Sequence, residues 1–178
     1  MKILPVILAS VMLITGVLTG CSDGLQTFNK YGMSFQVSSR LKLEEYTVNA
    51  QDQKFQKGPA SVEQGALVST DQNFFLMWLN GAAPNPQEIK FYISTTPTFF
   101  SSTSSNFKAR ISGSQTTEKS GNFEITFADI QLTSSGGEAT GITAVWYCQT
   151  SKRTMRLILI DKQAETEMRS LVQSFSCG

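Results

Sequence analysis

The sequence predicts an α+β domain, a mostly antiparallel sheet of about seven strands covered by two or more helices. Three observations carry this reading: short apolar segments joined by turn-forming residues, a helical period near the end of the chain, and a second helical stretch midway. The clearest element is the last helix. Ala164, Met168, Leu171, Val172 and Phe175 fall on one helical face, whereas Glu165, Glu167, Arg169 and Gln173 fall elsewhere. Asp161 stands where its carboxylate caps the first turn, and Gly178 is expected to end the helix.

From the start of the chain, Ile3 to Leu18 is an apolar run interrupted only by Pro5, Ser10, Thr15 and Gly16. It is shorter than the roughly 20 residues a membrane span needs, and it follows the single charge of Lys2. Leu18-Thr19-Gly20-Cys21 resembles the lipobox of prokaryotic lipoproteins. The resemblance implies that residues 1–20 are a signal peptide and that Cys21 is lipidated as the first mature residue. The protein would then be held by its lipid on the extracytoplasmic face of a cell membrane. An uncleaved anchor or an ordinary signal peptide is the alternative. Residues 21–27 form a polar leader reaching at most about 25 Å, and residues 28–178 form the single domain.

Within the domain, Met33, Phe35 and Val37 alternate with Ser34, Gln36 and Ser38, the period of a half-buried strand, and Leu41, Leu43 and Tyr46 continue the rhythm. Thr47 to Glu63, polar and centred on Gly58-Pro59, reads as a loop or irregular segment. Ala66–Thr70 and Phe74–Leu79 flank Asp71-Gln72-Asn73 as a hairpin. The second arm is apolar on both faces, so it predicts a central strand covered on each side. Pro86 suits the first turn of a helix carrying Ile89, Tyr92, Ile93, Thr96, Phe99 and Phe100, which either kinks at Pro97 or stops near Thr95. After a Ser/Thr connector, Ser101–Ser105, strands are expected over Phe107–Thr117, Phe123–Leu132, Gly141–Cys148 and Met155–Ile160.

Charge and chemistry narrow the function. The 178 residues hold 15 Lys and Arg against 14 Asp and Glu, and loss of Lys2 with the signal would leave them equal. A neutral chain without a basic block gives no reason to expect nucleic acid. Its lack of histidine removes the commonest general base, the usual zinc ligand and any Ser-His-Asp triad. No cofactor, metal or catalytic residue is predicted. Ser39-Arg40-Leu41-Lys42 and Ser105-Asn106-Phe107-Lys108 both match a serine acyl-enzyme spacing, but a double match in a Ser-rich chain without a Lys-Thr-Gly partner marks coincidence. Gly136-Gly137 reads as a hairpin turn rather than a phosphate loop.

With Cys21 taken by lipid, Cys148 and Cys177 are the pair left in an oxidising compartment, and a disulfide between them is expected. The aromatic residues Trp78, Trp146 and Tyr147 are candidates for ligand or partner contact, but for the two tryptophans the core is the favoured reading. Trp146 and Cys148 share one strand face, opposite Tyr147, which places Trp146 beside the disulfide and under the last helix.

Tyr31-Gly32-Met33-Ser34-Phe35 at the domain start, the long late hairpins and the closing helix ending Ser174-Phe175 together resemble the PsbP-like family, which includes the extrinsic PsbP protein of photosystem II and a eukaryotic Ran-binding protein. Where a Pro and a Trp often follow the opening Phe, this chain has Gln36 to Leu41. The resemblance implies an α/β/α sandwich serving as a non-catalytic binding or assembly module. The sequence therefore predicts a membrane-anchored lipoprotein, not an enzyme, whose partner is an envelope or membrane protein. A small-ligand carrier with an aromatic pocket is the alternative.

Overall fold

The computed structural model describes residues 24–49, 54–103 and 107–178. Cys21 and the signal-like run lie outside the described residues. The chain opens with a hairpin of β1 (Leu25–Lys30) and β2 (Met33–Ser38). The polar leader predicted to reach Thr27 is thus already strand from Leu25, because Gln26 and Thr27 pair with Val37 and Gln36. Then come β3 (Leu43–Asn49), β4 (Lys54–Lys57), β5 (Gln64–Ser69), β6 (Phe74–Asn80) and α1 (Pro86–Thr103). The second half holds β7 (Phe107–Ile111), β8 (Thr116–Ser120), β9 (Phe123–Ser134), β10 (Gly137–Cys148), β11 (Arg153–Leu159), α2 (Ala164–Ser174) and β12 (Ser176–Cys177).

All strand pairs are antiparallel. Nine strands form one sheet in the order β4-β3-β5-β6-β11-β10-β9-β7, with β8 also on β9, and β1-β2-β12 form a second. The described residues hold twelve strands rather than about seven. The surplus is mostly edge structure. Lys54–Lys57 pairs with β3 inside the segment expected to be a loop. Lys54, Gln56 and Lys57 are exposed, so only Phe55 marks a buried face there. The single strand expected over Phe107–Thr117 is two, because the chain leaves β9 at Ser112, whose N–H still reaches the Asp129 carbonyl (2.9 Å), and rejoins it at Thr116.

Side-chain alternation divides the large sheet into two faces. Phe74, Leu76 and Trp78 join Leu157, Ile142 and Trp146 in one cluster, closed by Met168, Leu171 and Val172 of α2 and by Met33, Phe35 and Val37 of β2. Phe75, Met77, Ile130 and Ile158 form the other with Phe100 of α1. The strand predicted to be covered on each side is so covered. On one face, however, the cover is shared between α2 and the small sheet.

α1 begins at a capping box. Asn85 Oδ1 accepts from the N–H groups of Gln87 (2.9 Å) and Glu88 (3.0 Å), and Glu88 Oε2 accepts from Asn85 N–H (2.7 Å). The helix does not stop near Thr95 but runs through Pro97 to Thr103, taking in the first residues of the expected connector. Hydroxyls beside the proline bond back to the helix, Thr95 to the Phe91 carbonyl (2.9 Å) and Thr96 to the Tyr92 carbonyl (2.6 Å). Buried Arg156 on β11 supports that turn, donating to Thr96 Oγ1 (2.9 Å), Thr95 Oγ1 (2.8 Å) and the Tyr92 carbonyl (3.3 Å). Its guanidinium lies 4.5 Å from the Phe99 ring centre, and burial pushes its pKa down to about 10. Tertiary contacts therefore override the local proline penalty.

At the other helix, Asp161 sits two residues too early to be the N-cap, which is Gln163. The Asp161 carboxylate accepts from Gln163 N–H (2.7 Å), and α2 starts only at Ala164. Nor does α2 continue to Gly178. Phe175 turns extended at φ −74° and ψ 131°, and Ser176 and Cys177 pair with Ser34 and Met33. The sulfurs of Cys148 and Cys177 stand at bonding distance with Cα atoms 6.0 Å apart, so the bridge ties β10 to β12, not to a helix end. Trp146 packs beside it, edge-on to Phe175 at 5.2 Å. Replacing both bridge cysteines by serine is expected to cost about 3–4 kcal/mol by loop entropy. Denaturant midpoints compared with the oxidised parent measure it, and an unchanged midpoint would show the bridge to be idle.

Candidate functional site at the Tyr31 turn

The pairing of Lys30 with Met33 leaves Tyr31-Gly32 as a two-residue turn, with φ of 57° and 62°. Two positive φ values match the twist of a hairpin, and Gly adopts one without strain. Tyr31 adopts the other as a bulky residue, a conformation that persists only where surroundings enforce it.

Two supports enforce it. The Tyr31 ring rests 5.5 Å from that of Trp78. Trp78 is held in turn by its indole N–H, which donates to the Ser61 carbonyl (3.0 Å). Gly65 makes room for it, since a Cβ there would stand 2.6 Å from Trp78 Cζ2. The second support is Arg153, 1% exposed. Its Nη1 donates to the carbonyls of Tyr31 (2.6 Å) and Val62 (3.0 Å), and its Nη2 to that of Gly32 (2.8 Å). One planar guanidinium thereby fixes the β1–β2 turn against the Ala60–Glu63 strap. These three acceptors are all carbonyls, and burial lowers its pKa.

Outside this support lies a polar triad. Lys30 Nζ donates to Glu45 Oε1 (2.6 Å), and the Tyr31 hydroxyl donates to Glu45 Oε2. The hydrogen bond from Lys30, followed by that from Tyr31, holds the Glu45 carboxyl below its usual range. Glu45 raises Lys30, while burial and then Glu45 raise the Tyr31 hydroxyl. All three shifts move away from neutrality. Each shift favours the protonation state that the shared hydrogen bonds need, a charged Lys30, a charged Glu45 and a protonated Tyr31. Val62 beside it is 58% exposed.

At the other end of the β1–β2 hairpin, where Leu25 pairs with Ser38, a groove of about 190 Å³ opens between the small sheet and α2. Leu25, Val37, Leu41, Phe74, Leu159 and Leu171 line it, with Glu167 and Ser170 among its polar residues. Partial burial, and then Asp161, push the Glu167 carboxyl up.

The residues singled out from the sequence fall differently. Trp78 and Trp146 are 0% and 2% exposed and flank Met155 on one sheet face, so both are core. Tyr147, on the opposite face and half-buried, donates its hydroxyl to the Gly81 carbonyl (3.0 Å). The three share no cleft. Tyr31 and Gly32 had a signal in the hairpin-type Tyr-Gly pair. Glu45 and Arg153 had none, since their partners lie far away in sequence.

No protein-family model and no curated protein matches the chain. Among solved structures, it is similar to cyanobacterial PsbP from Synechocystis sp. PCC 6803, determined in solution, with a TM-score of 0.50. The similarity covers 92% of this chain and 99% of that one at 9% sequence identity. The fold is PsbP-like, as the opening motif and closing helix implied.

Proposed function

We propose that this chain is a lipoprotein, anchored through Cys21 on the extracytoplasmic face of a cell membrane, that serves as a non-catalytic module for binding or assembling an envelope protein. The observation that carries the reading is the hairpin of β1 and β2. Its open end begins four residues after Cys21, and its turn lies about 17 Å away at 3.4 Å per residue. The Tyr31 turn is the end of the hairpin farther from Leu25, and Val62 is held beside it through Arg153. The buried Arg153 fixes those two segments to each other, and a prearranged surface loses less entropy when it binds. A carrier using an aromatic pocket at Trp78 or Trp146 would have to open the core.

The test is crosslinking in the native membrane followed by purification through the tagged chain. The parent is expected to retain one defined envelope protein, and Val62→Glu combined with Lys30→Glu to lose it while keeping the parent's circular dichroism. Retention of no envelope protein by the parent, or equal retention by the double variant, would overturn this assignment.

A further inference from the structure

The geometry points to an acyl-chain site: we propose that one acyl chain of the lipid on Cys21 folds back into the groove between the small sheet and α2. The inference rests on the lipidation proposed above. Four features of the groove carry it. First, most of its wall is aliphatic or aromatic, from Leu25, Val37, Leu41, Phe74, Leu159 and Leu171, and so suits a hydrocarbon better than a polar ligand. Second, the start of the domain is pinned at its mouth, because Ser39 N–H donates to the Gly24 carbonyl (2.7 Å) and Leu25 itself lines the wall.

Third, Cys21 precedes Leu25 by four residues, which span at most about 14 Å. The attachment point therefore lies within reach of the groove. Fourth, Leu25 is 63% exposed, a large apolar side chain at the mouth that a hydrocarbon would cover. At about 190 Å³, against about 150 Å³ for an apolar cavity that takes one benzene, the groove has room for about six carbons. It would hold one segment of one chain, leaving the remainder of the lipid in the bilayer. Seated in this way, the lipid would orient the domain as well as anchor it.

The experiment labels the full chain in its native host with a fatty acid bearing a photoactivatable diazirine. Intact mass of the purified protein first reports whether Cys21 carries lipid. Irradiation and peptide mapping then locate the adducts. The expected result is adducts on peptides containing Leu25, Leu41 and Leu171 in the parent, and their loss in Leu25→Glu, which changes an exposed side chain. Lipid on Cys21 with adducts scattered over the surface would overturn the groove site and leave anchoring intact. Groove adducts that persist in Cys21→Ser would mean that free membrane lipid occupies it, which also overturns the proposal. A mass without lipid would remove the anchor and this site together.

Discussion

Replacing Gly141 by alanine is expected to destabilise the domain by about 4 kcal/mol, at the upper end for a single methyl group. Gly141 lies on β10 one residue before the pairing of Ile142 with Leu159 begins, opposite Ile130 of β9. A Cβ there would overlap the Leu159 carbonyl oxygen and stand 3.1 Å from Ile160 Cα. Both obstacles are backbone, so no side-chain rotation relieves them. β10 and β11 would have to separate at the point where β11 leaves the sheet toward α2. Gly81→Ala is the control, because a Cβ there meets nothing within 4 Å and is expected to change stability by less than about 0.5 kcal/mol. Denaturant midpoints at unchanged slope measure both. Equal midpoints for the two variants would contradict the close approach of the strands.

The second large effect is expected at Arg153. Arg153→Ala should cost about 3 kcal/mol, since charge-assisted hydrogen bonds contribute about 1.5–3 kcal/mol each and part of the loss is offset by no longer burying a cation. The carbonyls of Tyr31, Gly32 and Val62 lose their donor together. Arg153→Lys is expected to rescue little. An ammonium is a compact point charge and cannot reproduce a planar fork that spans two chain segments. Hydrogen exchange adds a readout that a mere cavity would not produce. In both variants amide protection should fall at residues 60–63 and at the Tyr31 turn, while β10 keeps its protection relative to the global stability. Full rescue by lysine would show that charge alone, and not the fork, holds the turn.

The same contrast separates what the chain spelled out from what it did not. The faces of α2 and β2 were legible because burial on an amphipathic element repeats with the local period, as in Met168, Leu171 and Val172 or Met33, Phe35 and Val37. The all-apolar Phe74–Leu79 likewise announced a central strand, and the Cys148–Cys177 pair followed from having no other partner once Cys21 was set aside. Edge strands were not legible. Lys54–Lys57 has only Phe55 to mark a buried face, and Ser176–Cys177 is only two residues long.

The candidate site was half legible. Tyr31-Gly32 stood out only as part of the opening motif, and nothing near Arg153 in the chain states that its acceptors are residues 31, 32 and 62. Trp78 and Trp146 were expected in the core first and at a binding surface second, and their burial bears out the first reading. By itself the sequence determined the order and type of the main elements, the cysteine pair and the lipobox-like start, all of which rest on local spacing or composition. Only the tertiary structure decided which aromatic residues are sealed, where the apolar groove opens, and how two buried arginines hold Pro97 inside a helix and Tyr31 in its turn. Those outcomes depend on contacts between residues far apart in the chain, and local periodicity carries no record of them.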